Sequence, residues 1–304
     1  MESARDKYTR AIVEAEELWQ LPTVDRKGYE CGSCGVDVYP ASYLKTNLKR
    51  PYFSLYGDTD HLNGCDVEGD IKTVAKGKKG SVRDELETSP GLSPSRLTLR
   101  DERVAVDPTL PRTSAQTSSA STARRDIDSE TVRPVGRRAA NTIRPICRAF
   151  LNFPFDRNMS LDVPGVDDKT YWTAFKKLGA GNKGIETFER PKIFYAELAW
   201  AKAQEDDGSL TIPLSAGEWS TDRKLVRHYK VRVSWANWSK YKQTVVRNEM
   251  EVVREEGIKA KKKNLKDRAY IFFIGDQDED DPTIFNVTDH RLICGLLGAL
   301  IIVS

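Results

Sequence analysis

The sequence predicts an α+β protein in three parts: a small cysteine- and histidine-bearing module over 1–70, a disordered basic linker over 71–140, and a mostly β domain over 141–304. Three observations predict it. Three of the five cysteines and one of the three histidines fall between Cys31 and Cys65. No aromatic residue occurs between Tyr56 and Phe150. Beyond Phe150 the aromatic residues return, in segments whose apolar residues recur with period two.

In the first part, Tyr8, Ala11, Ile12, Ala15, Leu18 and Trp19 recur at helical spacing, which predicts an amphipathic helix over Ala4 to Leu21, closed by Pro22. Cys31-Gly-Ser-Cys34 and His61-Leu-Asn-Gly-Cys65 follow. A C-x2-C turn brings two thiolates to one point, and an H-x3-C pair supplies two more donors. Four such N/S donors complete a tetrahedral zinc site with no open position, the mark of a structural ion. Val36 to Tyr39 and Pro51 to Ser54 are predicted as strands of a hairpin between the two pairs. Cys147 and Cys294 stand alone, and five is an odd number, so reduced thiols fit better than a disulfide framework.

The stretch from Tyr29 through Cys31 and Cys34, Lys49-Arg50-Pro51-Tyr52-Phe53, and on to His61 and Cys65 resembles the zinc-finger segment at the start of CoiA-type competence proteins. That resemblance covers about 40 residues and implies Cys31 and Cys34 as ligands. It departs at Tyr52, where the family usually has histidine, so His61 and Cys65 rest on spacing alone. No convincing Asp…(Glu/Asp)-x-Lys nuclease set follows.

In the second part large apolar side chains are too sparse to offset the entropy of ordering the chain. Its end is basic: Arg124 to Arg148 carries seven arginines against three acids. That charge either keeps the tether solvated or touches phosphates.

In the third part Tyr171 to Leu178 is predicted as a short helix capped from Asp167 or Asp168. Strands are predicted over Ile193 to Ala201, Leu210 to Ala216, Tyr229 to Trp235, Ala269 to Ile274 and Thr283 to Val287, the last running onward as far as Leu297. The turn Asp206-Asp207-Gly208-Ser209 separates the first two. A helix over Trp238 to Glu256, ended by Gly257, separates the third and fourth. The order β-β-β-α-β-β resembles the OB-fold and implies a five-stranded barrel.

Composition excludes little. Hydrophobic residues make up 39% and charged residues 31%, and a net charge of +3 names no nucleic-acid partner by itself, so any basic surface is local. The polar start lacks an apolar signal region, and the apolar run Leu292 to Val303 is shorter than the ~20 residues needed to cross a bilayer. A cytoplasmic protein without membrane association is expected. Lys259 to Arg268 holds six basic residues against one acid, and Asp276 to Asp281 holds five acids, so the domain has a positive and a negative end.

Other motifs fail on context. Gly179-Ala-Gly181-Asn-Lys-Gly184 matches a dinucleotide loop literally but follows a helix rather than a strand. Asp276, Asp278 and Asp280 start like a calcium loop, yet Asp281 stands where glycine is required and Val287 where glutamate is. His228 and His290 have no catalytic companions in sequence.

The leading expectation is a non-enzymatic protein binding DNA or RNA. Its predicted contacts are Lys45, Lys49 and Arg50 in the zinc module, and Trp238, Lys259, Lys261, Lys262, Lys263 and Lys266 in the barrel, with Trp235 and Tyr241 near enough in sequence to stack bases. The tether would let both parts grip one molecule. A protein-protein adaptor in a bacterial complex is the alternative. A metal-dependent nuclease is a third, with Glu197 and Glu218 as the carboxylates to mutate first.

Overall fold

A computed structural model describes residues 1–10, 12–21, 23–44, 47, 49–57, 59–62, 65–89, 91–99, 139–179, 184–222 and 224–303. The chain starts as a hairpin rather than the expected helix. Strands β1 (Ser3–Asp6) and β2 (Ile12–Glu14) pair antiparallel, and a 3-10 helix follows over Ala15–Gln20. The physical reason lies in the turn. The Asp6 carboxylate accepts the N–H groups of Tyr8 and Thr9, and Arg10 takes a left-handed conformation with φ of 59°, so the chain doubles back. The apolar periodicity that reads as a helix is absorbed by the 3-10 turn, which buries Leu18 and Trp19.

β1 is then an inner strand. With β3 (Tyr29–Glu30), β4 (Asp37–Ala41) and β5 (Tyr52–Leu55) it forms an antiparallel sheet in the order β2-β1-β3-β4-β5. The β4–β5 pair is the expected hairpin, with Val38 opposite Leu55. Met1 and Phe53 exchange two backbone bonds, tying the start of the chain to β5.

The described residues between 71 and 99 are not part of the disordered stretch that composition suggests. They carry most of α1 (Asp66–Gly77), with α2 (Arg83–Thr88) and the short strand β6 (Arg96–Leu97). Few as their apolar side chains are, Val82, Leu86 and Leu97 all enter the core. Gly77 lets α1 approach that core: a Cβ there would lie 2.4 Å from the Phe153 ring. The buried carboxylate of Asp156 accepts the Val82 N–H and the Ser81 hydroxyl, anchoring the start of α2. The expected tether from 100 to 138 lies outside the described residues, as do Gly181 and its neighbours at 180–183.

The rest of the chain is a two-sheet body. β6 pairs with β7 (Ala139–Ala140), and α3 (Ile143–Asn152) follows. The expected helix over Tyr171 to Leu178 shortens to α4 (Tyr171–Ala174), capped by Thr170 rather than by Asp167 or Asp168. It runs directly into β8 (Phe175–Lys177), because Phe175 is pulled into the sheet beside Ile193.

β9 (Ile193–Glu197), β10 (Gln204–Asp206), β11 (Ser209–Trp219), β12 (Leu225–Ser234), α5 (Lys240–Lys262), β13 (Arg268–Phe273), β14 (Asp276–Gln277), β15 (Ile284–Val287) and β16 (Ile293–Gly298) complete it. The expected strand–helix–strand order is present, but the strands divide into sheets β16-β13-β9-β8 and β10-β11-β12-β15-β14, with β12 and β15 parallel. No closed barrel forms among the described residues.

The first of these sheets is buried on both faces. Tyr195, Tyr270 and Phe272 pack toward α3, whereas Phe194, Ile271 and Phe273 pack toward β11, β12 and α5. Such strands read as continuous apolar runs, as Tyr270 to Phe273 does.

Gly257 does not end α5, which runs on to Lys262. Its role is close approach: a Cβ there would meet the Ala269 Cβ at 2.6 Å. Helix propensity alone favours Gly257→Ala by about 1 kcal/mol. Overpacking against a strand costs about 1–3 kcal/mol, and we expect it to win. Thermal melting checks this: the variant should melt several degrees lower, and an unchanged or higher midpoint refutes the packing argument.

Candidate metal centre

The local chain explains how the four donors meet. After β3 the backbone turns tightly: Cys31 N–H donates to the Val36 carbonyl at 2.7 Å and Gly35 N–H to the Cys31 carbonyl at 3.0 Å, with Gly35 at a φ of 73°. This turn aims Cys31 and Cys34 to one side. His61 and Cys65 come from the segment between β5 and α1, and Cys65 is the N-cap residue of α1. The partial positive charge at that helix start favours a thiolate there.

The donor atoms of Cys31, Cys34, His61 and Cys65 all lie within 4.8 Å of one another. Cys31 Sγ and Cys65 Sγ are 3.7 Å apart. His61 Nδ1 is 3.4 Å from Cys34 Sγ and 3.5 Å from Cys65 Sγ. A tetrahedron with Zn–S of about 2.3 Å and Zn–N of about 2.05 Å has S···S edges of about 3.8 Å and S···N edges of about 3.6 Å. These three edges match. They are far longer than the ~2.05 Å of a disulfide, and all the cysteines are free.

Cys31 is fully buried and Cys65 nearly so, which shields the centre from solvent. Burial pushes the Cys31 thiol up to about 11. Burial acts on Cys34 in the same direction, but hydrogen bonds from His61 and from the backbone N–H groups of Val36 and Leu62 outweigh it and bring that thiol down to about 6. Cys34 therefore reaches the thiolate form readily at neutral pH, whereas Cys31 needs the charge of a cation beside it. The cluster can hold one metal ion, and its four donors leave no position for substrate.

The predicted nucleic-acid contacts separate into three groups. Lys45 lies outside the described residues. Lys49 is exposed, as are Lys259, Lys261, Lys262, Lys263 and Lys266 at the end of α5. Arg50 is withdrawn from the set: its guanidinium pairs with Glu256 at 3.0 Å and Glu16 at 3.3 Å and donates to the Gly295 carbonyl at 2.8 Å. Trp238 is half-buried, with its indole N–H on the Thr288 carbonyl and its ring edge-on to His290. Trp235 is a core residue. Tyr241 remains exposed.

The remaining sequence candidates are absorbed by structure. The Asp278 carboxylate accepts the N–H groups of Asp280 and Asp281 and the Asn286 amide, and Asp281 is taken by Thr283. The acidic loop is thus organised internally. His290 sits 3.4 Å from Asp289, and His228 lies in β12 with its proton affinity lowered by burial and then by Lys230. Cys147 and Cys294, remote in sequence, are both buried and hydrogen-bonded to each other. Glu218 is exposed on β11, and Glu197 ends β9.

Two features escape sequence reading. One is a buried ionic network that docks the metal module onto the body. Arg144 on α3 reaches Glu16 at 2.8 Å and Glu249 on α5 at 2.6 Å, and Glu249 also accepts the Gly295 N–H at 2.7 Å. Arg148 reaches Glu2 at 2.8 Å. Arg144 and Arg148, counted as basic tether, are therefore helical and paired. The signal was present: both sit one turn apart, on the flank of the apolar stripe of Ile143, Cys147 and Phe150. The other is Trp200, exposed beside the lysine cluster. The chain matches no family model, no curated protein and no solved structure.

Proposed function

We propose that this chain is a zinc-stabilised, non-enzymatic nucleic-acid-binding protein. Zinc is the ion because three thiolates and one imidazole in a half-buried tetrahedron suit it better than the oxygen-seeking cations. Its role is structural. The observation that carries the nucleic-acid reading is the lysine cluster at the end of α5: Lys259, Lys261, Lys262, Lys263 and Lys266 are all exposed, and none forms an ion pair among the described residues.

Three of these lysines also complement the carbonyl end of the helix, where cations are favoured. Five on one helix end exceed what that end needs, and the surplus suits a phosphate backbone. The acidic loop does not cancel it. It lies beyond the far end of β13, six residues or roughly 20 Å away, well past the ~8 Å Debye length. Because the buried network docks the zinc module on the body, the module supports this surface as part of one unit rather than as a second, tethered grip.

The test is titration of labelled DNA at 50 and 200 mM salt with the wild type and the K259Q/K262Q/K263Q/K266Q variant. Binding should weaken with salt, and the log–log slope should become shallower by about 0.7–0.9 for each phosphate that the variant no longer neutralises. Absence of binding at low salt, or an unaltered slope in the variant, sinks the reading.

A further inference from the structure

Trp200 is held at the surface by the fold. It follows β9, and the segment from Trp200 to Glu205 runs along α5, clasped at three successive turns of that helix. Arg254 Nη1 donates to the Trp200 carbonyl at 3.1 Å, Glu251 pairs with Lys202 at 3.8 Å, and Arg247 forks onto Glu205 at 2.9 Å. Arg247, Glu251 and Arg254 are spaced by four and three residues, so they lie on one helix face. The backbone of Trp200 is thereby fixed, yet its ring stays 58% exposed. A free indole gains by burial, so a clasp that keeps it in water is not explained by stability.

The ring borders a cleft of about 300 Å³ that is also lined by Ser215, Leu225, Arg254, Lys261 and Arg268. Lys261 Nζ stands over one face of the Trp200 ring, 4.2 Å from its centre, so a base would stack on the other face with an ammonium close by. The volume is at the small end of ligand pockets and is ample for one base. Lys259, Lys262 and Lys263 stand at the same end of α5 without lining the cleft, so they add positive charge beyond it.

We infer that Trp200 is a stacking platform for an unpaired base, and that the partner is single-stranded nucleic acid with its phosphates along the α5 lysines. This rests on the nucleic-acid reading above and narrows it. Stacking on an aromatic ring needs a base whose face is free, which a duplex interior denies. It is also tolerant of sequence, because every base has such a face.

The experiment uses the full zinc-loaded chain with fluorescein-labelled (dT)20, (rU)20 and a 20-base-pair blunt duplex at 50 and 200 mM NaCl. The proteins are the wild type, W200A, W200F and, as a control at another exposed tryptophan, W172A. The expected result is at least about tenfold tighter binding of one or both single strands than of the duplex. W200A should weaken single-strand binding about tenfold and leave the salt slope unchanged, because no charge is removed. W200F should keep most of the affinity, and W172A all of it. Which single strand is preferred tells the polymer. Equal binding of duplex and single strand, or a W200A protein as tight as wild type, overturns the inference while leaving the lysine surface standing. Failure of all three probes to bind at 50 mM salt overturns both.

Discussion

Stripping the metal with a chelator is expected to unfold residues 1–65 and to lower the melting midpoint of the whole chain by more than about 10 °C. Structural zinc in small modules supplies apparent binding energies of about 10–16 kcal/mol, and those modules do not fold without it. The module here has little else. Its core is Ala4, Ala15, Leu18, Tyr29, Val38 and Phe53, together with the ligands Cys31 and Cys65 themselves. Losing the ion therefore removes the centre of the core and leaves buried thiols without a partner charge. Cys34→Ser should act like chelation, because three donors hold the ion more weakly than four. Trp19 reports the change: it is 1% exposed, wedged against Val245 and Val252 of α5, and its emission should shift to the red as the module leaves. Coincident melts with and without chelator, by calorimetry and by fluorescence, would refute this.

Arg144→Met is expected to destabilise the protein by about 3–5 kcal/mol, the largest effect we foresee for one residue outside the metal centre. The substitution keeps the length of the side chain but strands the almost fully buried Glu249 and takes from Glu16 its nearest guanidinium, leaving it Arg50 at 3.3 Å and Arg148 at 3.9 Å. Removing one partner of a buried ion pair leaves an uncompensated charge, and that desolvation cost dominates. The Arg144 Nη1 contact to Glu16 is an ion pair without aligned hydrogen-bond geometry, so the loss at Glu16 is mainly Coulombic, whereas at Glu249 a bond of 2.6 Å also goes. The triple variant E16L/R144M/E249L should recover most of the loss, because it removes the stranded charges too. Urea unfolding of the single and triple variants checks both. A triple variant less stable than R144M would show that the network contributes more than its charge balance.

Within the same network Glu16 gives stability an acid limb, opposed by Glu249 and Glu14, whose carboxyls burial raises. Burial alone would raise the Glu16 carboxyl, but Arg144, Arg148 and Arg50 outweigh it and hold the group down at about 2. A depressed acid stabilises the fold above its unfolded value near 4.5, and that contribution is lost as pH falls from about 4.5 toward 2.

The four-donor cluster was legible because its information is local. Cys31, Cys34, His61 and Cys65 declare themselves by type and by two short spacings. The strands around Phe194, Val231 and Ile271, and the long helix after Trp238, were legible because burial leaves a periodic trace. The hairpin at Ser3 to Glu14 was not, since Ile12, Ala15, Leu18 and Trp19 repeat with helical spacing whichever way the chain turns, and the deciding bonds belong to Asp6. The helices over 66–88 were missed because a small number of apolar side chains, Val82 and Leu86 among them, reach the core from a polar background. Arg50 was misread as a phosphate contact because its partners, Glu16, Glu256 and the Gly295 carbonyl, lie 34, 206 and 245 residues away in sequence. Trp200 gave no sign of exposure, since the clasp that holds it out is formed by side chains of a helix some 50 residues later.

X-ray absorption at the zinc edge on the purified chain tests the convergence of the four donors most directly. One zinc per chain is predicted, with three sulfur neighbours at about 2.3 Å and one nitrogen at about 2.0–2.1 Å. A chain purified without tightly held metal, or a zinc surrounded by oxygen donors, would contradict the account.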